Sequence, residues 1–256
     1  MVRTAAALFG LTLCACATQS ASRRVEPPTP AELPPQHELW AQFPKATASP
    51  APDLLGTQIA NAASSLVGLK GLTNVSREVP DDCTGLVRVA YYAAGVDLMA
   101  RGNLRGENGV SAIWRAAEAA NATHWGTPRP GDLAFFLETY DRNRDGQRND
   151  GRTHVAVVES VDADGTVFFV HRSGGGVTRS QLNLAQPGRP LNATLRPRSK
   201  KYRAYDTGEL FAGYAAPSAL LALLPTAPRA VVVRDVDPPT RLARKAPRKR
   251  RPGTAR

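Results

Sequence analysis

Two regimes of apolar patterning divide the chain. LLGTQIANAASSLVGL (54–69) places Leu55, Ile59, Ala62, Ala63 and Leu66 at helical spacing with Gly68 and Gly71 near the stop, which predicts a first helix. In CTGLVRVAYYAA (83–94), Leu86, Val89, Ala90 and Ala93 share one face, and Gly95 closes the run. Pro80-Asp81-Asp82 precedes it, so Asp81 or Asp82 is a natural cap and Cys83 falls in the first turn. A third helix is predicted over Val110 to Ala120. The period then changes: LAFFLE (133–138), HVAVVESV (154–161) and TVFFVH (166–171) are short β-rich runs separated by turn residues. Helices first and an antiparallel sheet afterwards predict an α+β domain over residues 53–225. Phe211 to Pro225 is apolar, but Pro217 interrupts it and it is too short to span a bilayer, so a packing helix or docked segment is expected there.

The flanks behave differently. MVRTAAALFGLTLCACA (1–17) runs from Arg3 through an apolar stretch to small residues, the order of a secretory signal. Leu13-Cys14-Ala15-Cys16 resembles a bacterial lipobox, with Cys16 the better lipidation site because bulky Leu13 precedes Cys14; ordinary cleavage after Ala17 is the alternative. Residues 18–52 carry eight prolines and almost no periodic apolar pattern, so they bury too little surface to offset the entropy of ordering. They read as a disordered, semi-rigid stalk. Export to a bacterial cell envelope, with a lipid anchor in the membrane, is the expected localisation.

Charge adds a boundary. The formal net charge is +11, but residues 229–256 hold ten Lys/Arg against two Asp, so the basicity is concentrated in a tail. A nucleic-acid-binding face is therefore not expected. A disordered basic tail over 226–256 would suit anionic envelope polymers or lipid head groups, or have no dedicated partner. Three cysteines with no CxxC or Cys/His cluster exclude a disulfide scaffold and a zinc module, and without GxGxxG or a P-loop, dinucleotide and nucleotide chemistry have no support.

Chemistry concentrates on Cys83, the only thiol of the mature domain once Cys16 is lipidated. A small core residue is the plain reading of such a cysteine. Its place at a helix start argues otherwise, because the partial positive charge there favours a thiolate, whereas Asp81 and Asp82 work against one. A cationic partner is then needed, and histidine is the obvious candidate. His37 lies in the stalk, His124 in a loop beside Trp125, and His154 and His171 in strands. Val161 and Thr166 flank the turn signal Asp162-Ala163-Asp164-Gly165. With four loop residues, His171 faces Ala156 and lies diagonal to His154 on the same sheet face, about 7–8 Å away between backbones. A three-residue loop with a bulge breaks that relation, and two polar residues on a solvated face are the alternative.

These segments resemble a known family. DDCTGLVRVAYYAAGVDL is similar to the nucleophile segment of the NlpC/p60 cell-wall cysteine peptidases, PRPGDLAFF to their proline-glycine-aspartate strand start, and THVAVVESV to their histidine strand. The resemblance spans roughly residues 55–175, and the related CHAP amidases share the fold. It implies a papain-like α+β fold and hydrolysis of amide bonds in peptidoglycan stem peptides. Carried over, Cys83 is the nucleophile, His154 the base and His171 its orienting partner, with no cofactor required. One departure is visible: LKGLTNVSREVP (69–80) lacks the tyrosine that commonly precedes the cysteine helix.

Outside that resemblance, DRNRDGQRNDG (141–151) sets Asp141, Asn143, Asp145 and Gly146 at the spacing of a calcium loop, although position twelve is Arg152 and only Asp150 is at hand to replace the usual Glu. A polar hairpin rich in Asx-turns explains the same letters. The competing function is a catalytically silent wall-binding or scaffolding lipoprotein on the same fold. Thiol-based acyl transfer on lipids is a third possibility without specific support.

Overall fold

The computed structural model describes residues 53–231 except 187, 189 and 230. The expected signal peptide, Cys16, His37, the stalk and nearly all of the basic tail lie outside the described residues.

Three helices lead the domain, each opened by a side chain that accepts backbone N–H groups the first turn cannot satisfy. Helix α1 (Leu54–Ser64) is capped by Asp53. It stops before the predicted end because the Ser64 and Ser65 hydroxyls donate back to the Ala60 and Ala62 carbonyls, both at 2.8 Å, and the chain turns. Leu66 is nonetheless fully buried. Helix α2 (Cys83–Ala93) is capped by Asp82, and α3 (Gly109–Ala119) by Asn108.

A six-stranded antiparallel sheet follows, in the order β1-β8-β2-β3-β4-β5. Its strands are β1 (Thr123–His124), β2 (Leu133–Leu137), β3 (Arg152–Val161), β4 (Val167–Ser173), β5 (Gly176–Leu182) and β8 (Phe211–Ala215). A separate ribbon pairs β6 (Thr194–Arg196) with β7 (Tyr205–Asp206); short α4 (Thr207–Leu210) precedes β8, and α5 (Pro217–Leu223) follows it. Alternation along the strands feeds two cores. Phe135, Val155, Val157 and Val170 pack with the helices, whereas Phe136, Ala156, Val158 and Phe169 pack with Phe211 and Tyr214 on the opposite face. Mixed helix and antiparallel sheet in this arrangement is the α+β, papain-like layout.

Two expectations are corrected. Phe211–Pro225 is not a packing helix or docked segment throughout: Phe211–Ala215 is an inner strand, buried at every position and paired to β1 and β2, and only from Pro217 does a helix, α5, follow, with proline at the first helical position, where its missing N–H costs nothing. His124 is not in a loop but in β1, opposite Tyr214, with its Nε2 3.0 Å from the Asp132 carboxylate. The chain also stays attached to the domain beyond Pro225, because the Thr226 and Arg229 N–H groups donate to the Gly95 and Tyr92 carbonyls.

The Pro130-Gly131-Asp132 turn ties the layers together. The Gly131 N–H donates to the Val158 carbonyl at 2.8 Å, and the buried Tyr91 hydroxyl of α2 donates to the Gly131 carbonyl at 2.8 Å. Gly131 has φ +89°, and a Cβ there would lie 2.4 Å from the Gly56 Cα of α1. Glycine at both positions permits a backbone-to-backbone approach that no side chain would allow.

Candidate active site

Cys83 occupies the first position of α2. The Asp82 carboxylate accepts from the Thr84 and Gly85 N–H groups at 2.8 and 3.0 Å, and the Asp82 carbonyl accepts from Leu86. The Cys83 N–H is the first-turn amide left outside this cap. Gly85 lets the turn sit tight, since a Cβ there would fall 1.8 Å from the Pro80 carbonyl oxygen.

β3 brings His154 beside this helix start, where His154 and Cys83 line one cleft. His171 comes from β4. The β3–β4 register explains their meeting. Val161 pairs with Val167, leaving five connecting residues where four were expected, and a bulge between Val158 and Ser160 absorbs the extra one. Beyond it, Val157 pairs with Val170, the register in which His171 falls next to Ala156 and diagonal to His154. The result is a direct contact: His154 Nε2 lies 2.9 Å from His171 Nδ1 with the rings at 89°. Both rings are buried, flanked by Phe136 and Phe169, so the solvated-face alternative does not hold. His171 Nε2 lies in turn 2.9 Å from the Ser180 hydroxyl on β5.

Cys83, His154 and His171 line one cleft together with Asn108, Tyr140 and Arg172. The last three were not singled out in the sequence. Asn108 caps α3 and also donates to the Arg152 carbonyl at 3.0 Å. Arg172 forms a two-pronged pair with Asp81 at 3.0 and 3.1 Å, which holds the Asp81 carboxyl below the usual carboxylate range. Asp81 is thereby committed to the rim. Tyr140 projects from a segment anchored by Thr139, whose N–H and hydroxyl both contact the Thr153 hydroxyl at 2.8 Å. Its ring is half exposed in a cleft whose cysteine lacks the usual upstream tyrosine.

Electrostatics set the resting protonation. Burial, then the Asp82 charge, pushes the Cys83 thiol up to about 12 despite the backbone N–H groups around it. Burial pulls His154 down to about 3, with His171 adding to the effect, and pulls His171 down to about 4. The resting site is thus a neutral thiol beside two neutral imidazoles. Burial therefore favours the neutral arrangement, with His154 taking the thiol proton during reaction, over a thiolate paired with an imidazolium. Such a trio can transfer a proton from sulfur to an imidazole as a carbon–sulfur bond forms, with the Cys83 N–H at the helix start a candidate donor to a developing oxyanion.

The 141–151 loop stands outside this constellation. Asn143 Oδ1 accepts from the Asp145 N–H at 3.0 Å, Asp145 Oδ1 from the Gln147 N–H at 2.7 Å, and Asp141 Oδ2 from the Gly146 N–H at 2.8 Å. These are Asx-turn bonds of the hairpin reading. Among the described residues no group of three or more His, Cys, Asp or Glu is disposed to hold a metal ion.

No curated protein matches the chain. Residues 74–173, which contain the cysteine helix, the proline-glycine-aspartate turn and both histidine strands, match the CHAP domain, consistent with a family of cysteine peptidases and amidases related to NlpC/p60 whose members are generally hydrolases acting on peptidoglycan.

Proposed function

We propose that the chain is a cysteine hydrolase that cleaves amide bonds in the peptide stems of peptidoglycan, carried on a lipoprotein of the bacterial envelope. The observation that carries the reading is the convergence of Cys83, His154 and His171 in one cleft, with the histidines in hydrogen-bond contact. His154 Nε2 is engaged by His171, so Nδ1 is the nitrogen left to act as base. In acylation, Cys83 Sγ attacks the amide carbon while its proton passes to His154 Nδ1, and the carbonyl oxygen takes the negative charge beside the Cys83 N–H. The C–N bond then breaks as His154 returns the proton to the leaving amine. Water, deprotonated by the same nitrogen, hydrolyses the thioester and restores the thiol. The chain's own residues supply every proton transfer, and no cofactor is required.

Purified muropeptides incubated with the protein and resolved by mass spectrometry test this reading. Wild type yields fragments split at an amide; Cys83→Ala and His154→Ala yield none, and His171→Ala retains a fraction because nucleophile and base remain. Cleavage by Cys83→Ala would sink the proposal. The protonated resting thiol favours a second reading, a silent wall-binding protein on the same fold, for which intact muropeptides are the signature. Anchoring is tested separately by metabolic palmitate labelling: wild type labels and Cys16→Ser does not, whereas equal labelling ends the lipoprotein assignment. The basic tail then serves as an electrostatic contact to anionic envelope polymers.

A further inference from the structure

We infer that Ser180 is a positioning residue, whose hydroxyl sets the direction of the hydrogen-bond chain Ser180–His171–His154 and thereby leaves His154 Nδ1 unprotonated beside Cys83. The inference rests on the cysteine-hydrolase reading above and extends it to a residue outside the matched segment. Ser180 reaches this place through register. Hairpin β4–β5 pairs His171 with Thr178 and Phe169 with Ser180, so Ser180 lies diagonal to His171 on the same face. Its hydroxyl is 2.9 Å from His171 Nε2, and His171 Nδ1 is 2.9 Å from His154 Nε2.

A neutral imidazole has one N–H and one lone pair, so two linked rings can be protonated in only two concerted ways. In the first, His154 Nε2–H donates to His171 Nδ1, and His171 Nε2–H donates to the Ser180 oxygen; His154 Nδ1 is then a bare lone pair. In the second, every bond reverses and His154 Nδ1 carries the proton. That arrangement puts the N–H on the nitrogen for which the described residues offer no hydrogen-bond acceptor, and removes the base. The first gives each ring N–H an oxygen or nitrogen acceptor, and half-buried Ser180 can turn its own hydrogen to water. It depends on the Ser180 oxygen, because His171 is 4% exposed and its Nε2–H has no other acceptor among the described residues. Without the hydroxyl, the first arrangement strands a buried donor, whereas the second strands only an acceptor, the milder fault.

Long-range 15N–1H spectra of histidine side chains in the intact protein read the tautomers directly. Wild type is expected to show both His154 and His171 as Nε2–H forms. In Ser180→Ala, both are expected to move toward Nδ1–H, with kcat on muropeptides falling roughly tenfold and KM changing less than about twofold. Ser180→Thr is expected to restore the tautomers and the rate. Nδ1–H tautomers in wild type, or unchanged tautomers in Ser180→Ala, overturn the inference. Should Ser180→Ala not fold, the wild-type spectrum alone decides the direction of the chain. Because the spectra need no substrate, a wild type that cuts no muropeptide would refute the hydrolase reading while leaving the tautomer result to stand or fall by itself.

Discussion

At Cys83, two causes raise the thiol, burial and the Asp82 charge, and they are separable by substitution. Asp82→Asn keeps an oxygen able to accept from the Thr84 and Gly85 N–H groups, so the cap survives while the charge is removed. The midpoint of thiolate formation, followed by ultraviolet absorbance, is expected to fall in Asp82→Asn, with the melting temperature nearly unchanged. Asp82→Ala removes cap and charge together and is expected to cost about 1 kcal/mol of stability as well. A midpoint in Asp82→Asn equal to that of wild type would assign the whole shift to burial. The identity of Asp82 as cap was legible in the sequence to within one residue. The division of labour was not: Asp81 turns away to Arg172, a partner that only the β4 strand brings near.

At the level of elements, the two readings of the 141–151 loop make opposite thermal predictions. Side-chain oxygens of Asn143, Asp145 and Asp150 and one of Asp141 accept from N–H groups of the loop, whereas Asp141 Oδ1 has no partner among the described residues; the bonds from the Asn149 side chain and the Gln147 N–H hold the Asp145 carboxyl below the usual range. Calorimetry with micromolar to millimolar calcium is expected to give no binding heat; saturable heat lost in Asp145→Ala would establish the ion site instead. The patterns that located α1, α2, α3 and strands β2 to β4 worked because each element buries one periodic face. β5 was missed because VTRSQL pairs with β4 along its length yet presents mostly polar residues, and β8 because five consecutive buried residues do not alternate. Missing β5 meant missing Ser180, although the three glycines after Ser173 mark the hairpin that would have placed it. Conversely, the diagonal relation of the histidines was readable from the turn even though the turn is one residue longer, because the bulge at Glu159 restores the register.

For the whole molecule, the buried histidine pair couples folding to acidity. An unfolded histidine titrates near 6.5, whereas His154 and His171 are held down to about 3 and about 4 in the fold. Below pH 6.5 the unfolded chain therefore binds protons that the folded chain refuses, and stability present in full above that value drains away as pH falls toward the folded values. Paired carboxylates such as Asp81 and Glu159 lose their contribution only at lower pH, so the window from about 6.5 to 5 belongs to the histidines. Urea unfolding at pH 7 and pH 5 is expected to show a lower midpoint at pH 5 in wild type and a smaller difference in His171→Gln; equal midpoints in wild type would contradict the buried neutral pair. The same architecture bears on when such a chain can act at all. Cys83 on α2 lies far along the chain from His154 and His171, which adjacent strands β3 and β4 bring together, and the bulge at Glu159 and the bond from Tyr91 to the Gly131 turn help hold the three in place. An extended chain, or one in which only the β3–β4 hairpin has formed, keeps Cys83 away from both histidines, so the proposed hydrolase would stay unarmed until α2 has packed against the sheet.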